Sequence, residues 1–241
     1  EPVAVFDARY WYLEEQPGVR PSELQMRWRI SGFRMPKIAR YGQIILTEAV
    51  TDTGQVLFDP NSYTEEQRTQ TSPPNLPPNR LKYTGVLLPM RLDSPSREAK
   101  SLRLRGSVRV ILAEESEEIT IDNPRQYVGQ NLKHDRLAEL GIEVRVVPRE
   151  ELEGPAASAS IGKQIALEFV KGEEHIKSVD FYNGWMRAIQ VRDRNVNTTT
   201  GVQAKAYNFG ADWLTDQCQL VLTVFPEIEE KTLPIEYDAL E

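Results

Sequence analysis

The stretch Leu102 to Asp122, LRLRGSVRVILAEESEEITID, returns near the end of the chain as Cys218 to Glu236, CQLVLTVFPEIEEKTLPIE. In both, apolar residues alternate with polar ones up to a cluster of carboxylates and resume beyond it. Val108, Val110, Ile119 and Ile121 are matched by Leu222, Val224, Leu233 and Ile235 at a constant separation of 114 residues (222 minus 108). Alternation with period two puts every second side chain on one face of an extended strand, whereas a helix needs a period near 3.6. Each segment therefore reads as strand, acidic turn, strand, and the pair reads as two hairpins of one β-rich design used twice.

If the design is duplicated, the earlier parts of the two copies should align as well, and they do at a separation of 141 residues. Val3 and Val5 fall on Val144 and Val146; Leu24, Met26 and Trp28 on Ile165, Leu167 and Phe169; Tyr41 on Tyr182; Val50 and Asp52 on Val191 and Asp193. The separation falls from 141 to 114 between Asp52 and Val108, so the first copy carries 27 extra residues there (141 minus 114). Pro73, Pro74, Pro77 and Pro78 lie in that interval among Thr, Gln, Ser and Asn, and residues 60–80 are expected to form a long exposed loop inserted into the first copy.

Taken in order, Val3, Val5 and the cluster Tyr10 to Tyr12 open a strand pattern, Leu24 to Ile30 alternates as a half-buried strand, and the apolar run Ile44 to Val50 is closed by Thr51-Asp52-Thr53-Gly54, which turns the chain into a partner at Val56 to Phe58. Asn131 to Leu140 is the one good helical segment, with Gly141 placed as its C-terminal cap. About seven short strands per copy, turns every 8–12 residues and no βαβ alternation predict an all-β protein of two tandem antiparallel β-sandwiches, Ig-like or fibronectin-like in architecture. The expected boundaries are a sandwich over 1–122, a linker with a short helix over 123–141 and a second sandwich over 142–241. The Cys-Trp-Cys pattern of antibody domains is absent, because the chain has a single cysteine, Cys218, set in an alternating pattern that buries it.

Composition narrows the functional classes. A net charge of -7 gives no concentrated basic face for nucleic acid, and Arg103, Arg105 and Arg109 sit at strand spacing, as expected for a solvated strand face. No apolar run approaches the roughly 18 residues of a membrane-spanning helix, so no membrane insertion is expected. There is no GxGxxG and no P-loop. His134 and His175 stand apart, without the spacing of a zinc site or a catalytic triad. The carboxylate clusters Glu114, Glu115, Glu117, Glu118 and Glu227, Glu229, Glu230 are expected at hairpin tips, solvated and without a cleft. They carry only a remote reading as a carboxylate-dependent hydrolase. No catalytic residue and no cofactor is expected. Asp52, Asp193 and Asn195 are weak calcium candidates whose ordinary role is turn formation.

Aromatic residues carry the sharper expectation. Tyr182 and Trp185 flank Asn183-Gly184, and Tyr207 and Trp213 flank Asn208 and Gly210, so two loops of the second copy bear rings beside turn residues. Such rings stack on sugars or anchor a protein partner, against core packing as the plain alternative. Tyr10, Trp11 and Tyr12 are adjacent in a strand, so they point to both faces, and at least one is expected at a seam between the domains. The chain begins at Glu1, which fits a mature protein, and export to the periplasm, cell surface or medium is expected; Asn197-Thr198-Thr199 fits an N-glycosylation acceptor. The expected function is a non-enzymatic binding or structural module of an exported or cell-envelope protein, its partner an unknown protein or glycan. The alternative is a carbohydrate-binding accessory module using the aromatics of the second domain.

Overall fold

The alternating segments form strands β1 (Val5–Tyr12), β2 (Glu23–Ser31), β3 (Ile38–Thr51), β4 (Thr71–Ser72), β5 (Val86–Asp93), β6 (Leu102–Leu112), β7 (Glu117–Asp122), β8 (Glu143–Val147), β9 (Gln164–Lys171), β10 (Ile176–Tyr182), β11 (Arg192–Asn197), β12 (Gln203–Asn208), β13 (Gln219–Val224) and β14 (Glu229–Leu240). Two short helices, α1 (Glu65–Thr69) and α2 (Asp135–Glu139), accompany them. These come from a computed structural model that describes residues 5–12, 23–31, 37–74, 85–154, 163–184, 188–189, 191–209 and 214–240. The protein is all-β, and the strands named here pair antiparallel with one another.

The chain divides into two compact units, Glu1–Ala113 with Ile228–Glu241, and Glu114–Glu227. The second is continuous and is inserted in the sequence of the first. Divisions at 113/114 and 227/228 replace the expected ones at 122 and 142, and the cause is visible in the strand pairing. β6 does not fold back on β7; it pairs with β14, Val108 opposite Leu233. β13 does not fold back on β14; it pairs with β7, Leu222 opposite Ile119. The two acidic segments are therefore links between units and not hairpin tips, and each repeated motif contributes one strand to each unit.

In the first unit one sheet has the order β1-β2-β5 and the other β14-β6-β3-β4. β5 shows the alternation most plainly, with Val86, Leu88, Met90 and Leu92 buried and the residues between them exposed. Those four pack in one core with Leu24, Met26, Trp28 and Ile30 of β2 and with Ile44, Leu46, Leu104, Val108, Leu233 and Ile235 from the opposite sheet. Two layers sharing one apolar interior form a sandwich. Trp28 is fully buried and meets the ring of Tyr237 edge-on, centroids 5.1 Å apart. Gly85 precedes β5 at φ 68°, and a Cβ there would stand 2.2 Å from the Ile30 carbonyl oxygen, so only glycine fits.

The expected proline-rich loop is more ordered than its composition suggests. Pro60–Ser62 forms a 3-10 turn capped by the Asp59 side chain, α1 follows, and β4 adds two residues to the edge of β3. The Arg40 guanidinium holds that edge, donating to the Thr71 hydroxyl (3.0 Å) and the Thr71 carbonyl (2.8 Å). Residues 75–84 lie outside the described residues.

The second unit has the sheets β10-β13-β7 and β11-β12-β9-β8. Its core joins Ile119, Ile121, Leu220, Leu222 and Phe181 of the first sheet to Val144, Val146, Ile165, Leu167 and Tyr207 of the second. Cys218 is buried in it, as expected, and its sulfur accepts from the Thr215 amide at 3.3 Å. The helical segment is no linker. Leu132 and Leu137 are buried in this same core, and His134 caps α2, its Nδ1 accepting from the Arg136 amide (3.1 Å). Gly141 follows at φ 67°, the left-handed residue that ends the helix. The polar residues Asn195 to Asn197 end strand β11, because β12 offers that strand a full ladder of partners.

Candidate functional site

The four aromatic positions expected to form a ligand platform do not share one environment. Tyr207 is 3% exposed. Its ring lies 5.3 Å from that of Phe181, which in turn meets Phe209 edge-on at 5.1 Å, so the three rings fill the interior of the second unit. Tyr207 is thereby a core residue and not a stacking surface; it shares that core with Phe209 two residues on, while Ala204 and Ala206 are buried in a separate small cluster. Burial pushes the Tyr207 phenol well above its ordinary range, and the nearby charges of Asp193, Glu173 and Asp180 push it the same way. Its hydroxyl stays protonated. Tyr182, at the end of β10, is half-buried and pairs with Ala188 across the Asn183-Gly184 turn. Trp185 and Trp213 lie outside the described residues.

The backbone of β1 sets Tyr10, Trp11 and Tyr12 opposite Met26, Gln25 and Leu24. Their side chains, and the seam expected of them, lie outside the described residues.

The calcium candidates are occupied in other ways. Asp52 accepts from the Lys100 amide (3.0 Å), and that bond, first among its backbone partners, holds its carboxyl below the usual range. Asp193 is held down by the Lys205 ammonium, 2.8 Å away. Asn195 stands opposite Lys205 on the same ladder. No cluster of three potential metal ligands occurs among the described residues.

The arginines of β6 form a strand face, as expected, but a face with named partners. Arg103 reaches Glu48 of β3 (2.6 Å). Arg105 pairs with Glu236 (3.5 Å) and Asp238, and Arg109 with Glu230 through two bonds of 2.7 and 2.6 Å, all three carboxylates on β14. The Arg109 guanidinium lowers the Glu230 carboxyl below its ordinary range. Glu117, from the other acidic segment, binds Arg136 of α2 at 2.6 Å. Two carboxylates once read as free hairpin-tip groups are thus committed to guanidinium partners.

Sequence reasoning missed a compact ionic network on the second unit. Arg145 of β8 donates both terminal nitrogens to Glu151 (2.8 and 2.7 Å) and one also to Glu168 of β9 (3.2 Å). The bonds to Glu151 and then Glu168 raise the guanidinium, and Glu151 is correspondingly depressed. The signal available in the sequence was two carboxylates within reach of an arginine flanked by Val144 and Val146. The network fits clamping the 149–151 turn onto β8 and β9.

The His175 Nδ1 donates to the Phe225 carbonyl at 2.7 Å, fixing the chain where it leaves β13. The polar side chains named above close turns, cap α2 and pair strands. The class so defined is an all-β protein of two sandwich units. Comparison with protein-family models, with curated proteins and with solved structures found no match.

Proposed function

We propose that the chain is a non-enzymatic binding or structural module of an exported or cell-envelope protein, built from two Ig-like or fibronectin-like sandwiches related by duplication. The observation that carries this reading is the agreement of strand orders. β1-β2-β5 corresponds to β8-β9-β12, and β14-β6-β3 to β7-β13-β10. The separation of 141 residues matches β2 to β9 and Tyr41 of β3 to Tyr182 of β10, and the separation of 114 matches β6 to β13 and β7 to β14. Sandwiches of this order present surfaces and loops from a rigid frame and need no reactive centre to do so. The pairing of Arg145, Arg109 and Arg136 with carboxylates is the wiring of such a frame. Export is tested by fractionating cells of the source organism with an antibody to this chain. Recovery from the envelope or medium supports the reading, and recovery with cytosolic markers removes it.

The glycan-binding alternative now rests on Tyr182 with Trp185 and Trp213, since Tyr207 is core. Tryptophan fluorescence titrated with a panel of soluble glycans tests it: a saturable change that Trp185→Ala or Trp213→Ala abolishes supports it, and an unchanged spectrum across the panel removes it.

A further inference from the structure

β6 and β7 are separated by the four residues 113–116, and β13 and β14 by the four residues 225–228. Gaps of that length join hairpins. Yet neither pair folds back, and each unit is closed by a strand that sequence order would assign to the other. Both pairings keep one register: partners in β6/β14 sum to 341 (112 plus 229), as do partners in β7/β13 (119 plus 222), up to a shift after Tyr237. The closing strands also carry the same pair of buried residues two apart, Ile119 and Ile121 in one, Leu233 and Ile235 in the other.

We propose that β7 and β14 are exchangeable closing strands, and that the chain has a second closed form in which β6–β7 and β13–β14 fold back as hairpins hinged at 113–116 and 225–228. Strand parity permits it. Folding back about the first hinge brings Val110 opposite Ile119 and Val108 opposite Ile121, apolar on apolar and on the core face. Folding back about the second brings Leu220 opposite Leu233. The hairpin form has the shorter loops, and it forms first because local contacts cost least chain entropy.

What selects the exchanged form is the charge ladder. Arg109 and Arg105 find Glu230, Glu236 and Asp238 only on β14. In the hairpin form Arg109 would instead face Thr120. The Asp122 carboxylate likewise accepts from Gln219 of β13 (2.8 Å) and would lose that partner. The apolar pairs nearest the hinges are equivalent in the two forms; the exchanged form adds the Tyr237 ring against Trp28 and the polar pairs, and the polar part makes the balance adjustable by charge.

The inference deepens the duplication put forward above, and its test can fail without that reading, which stands also on β1-β2-β5 against β8-β9-β12. Two double-cysteine variants of the full chain, each in a Cys218→Ser background, report the two forms. Glu118→Cys with Thr223→Cys are directly opposed in the exchanged form. Ser107→Cys with Asp122→Cys become opposed only in the hairpin form. After refolding under oxidising conditions, the first pair is expected to crosslink almost fully. The second is expected to rise at least about fivefold when Arg105→Ala and Arg109→Ala remove the ladder. Should those arginine variants fail to fold, Glu114→Asn with Glu115→Gly leaves the ladder intact and favours a tight turn at the hinge, with the same expected rise. A 107/122 crosslink that stays at background in both variants, with the 118/223 crosslink undiminished, overturns the proposal.

Discussion

The two units spend their fourth strand differently. In the first, β4 joins the sheet that holds β3 and β6; in the second, β11 joins the sheet that holds β9 and β12. β4 is two residues long and is held by the Arg40 guanidinium, whose residue is 7% exposed, together with Arg109, which donates to the Thr69 carbonyl at 2.8 Å. β11 is six residues long and needs no such clamp, because its amides and carbonyls pair along the whole of β12. An edge strand too short to carry itself is thus fastened by side chains, and a long one by its backbone. The cores of the two units show what is shared, and the fourth strands show what each sandwich can vary.

The most forceful way to break the comparison is to empty each core at its largest side chain. Trp28→Ala in the first unit and Phe181→Ala in the second are each expected to cost about 3–5 kcal/mol, since both are fully buried and leave a cavity. Native-state hydrogen exchange should show the loss confined to the unit that carries the change. A uniform loss of protection across both would mean that the division at 113/114 and 227/228 is not an energetic one.

A smaller effect sharpens the difference between the fourth strands. Arg40→Met keeps most of the stem but removes two charge-assisted bonds to Thr71, and is expected to cost about 1–3 kcal/mol. The local sign is faster exchange in residues 71–72 and α1, with β11 unaffected. Unaltered exchange there would show that β4 is held by its two backbone pairings alone.

Both units also use one turn design that the sequence shows only in hindsight. Thr51, the last residue of β3, and Thr198, the residue after β11, are each buried, and the hydroxyl of each accepts from the amide four residues on, at Gln55 (3.0 Å) and Val202 (3.1 Å). In each, the hydroxyl also meets that of the threonine two residues on at 2.8 Å, and the glycine before the far strand has a positive φ. Replacing either threonine by valine leaves the amide without its hydroxyl acceptor, and a loss of about 1–2 kcal/mol is expected in thermal unfolding. Equal losses at both sites would establish the turn as a shared device, whereas a loss at Thr51 alone would make the resemblance incidental.

How much of this was legible depends on what the signal measured. Alternation recorded which side chains face a core, so Leu24 to Ile30, Ile165 to Phe169 and the closing strands were read as strands from their apolar spacing. It carried no record of the partner strand. Val108 and Val110 are as well matched to Ile119 and Ile121 as to the residues of β14, and a four-residue acidic gap reads as a turn whether or not the chain folds back there. The observed pairing brings Arg105 and Arg109 to carboxylates more than 120 residues away and Tyr237 onto Trp28, contacts that no local pattern reveals. Tyr207 was misplaced for a similar reason. Its neighbours Asn208 and Gly210 suggested an exposed loop, while the parity that turns it inward is set by β9 and β11 on either side.

The smallest expected effect concerns pH. Glu230 in the first unit and Asp193 in the second are each held below the usual carboxylate range by one cation, Arg109 and Lys205. A carboxyl whose folded value is depressed releases its proton more readily when folded. Its contribution is therefore complete above the unfolded value and lost as pH falls through the folded one. Stability should decline on acidification across the carboxylate range, and Glu230→Gln or Asp193→Asn should each flatten that decline by less than either threonine substitution changes stability, because these pairs are solvated. Denaturant midpoints measured from pH 7 downward give the slope. The two substitutions then separate the units once more: Glu230 lies on a closing strand, so its loss should weaken the grip of β14 on β6, while Asp193 lies on a strand already held along its length by β12. A flattening of the same size at both positions would mean that the carboxylates of β14 act as ordinary surface charges and not as what keeps that strand on β6.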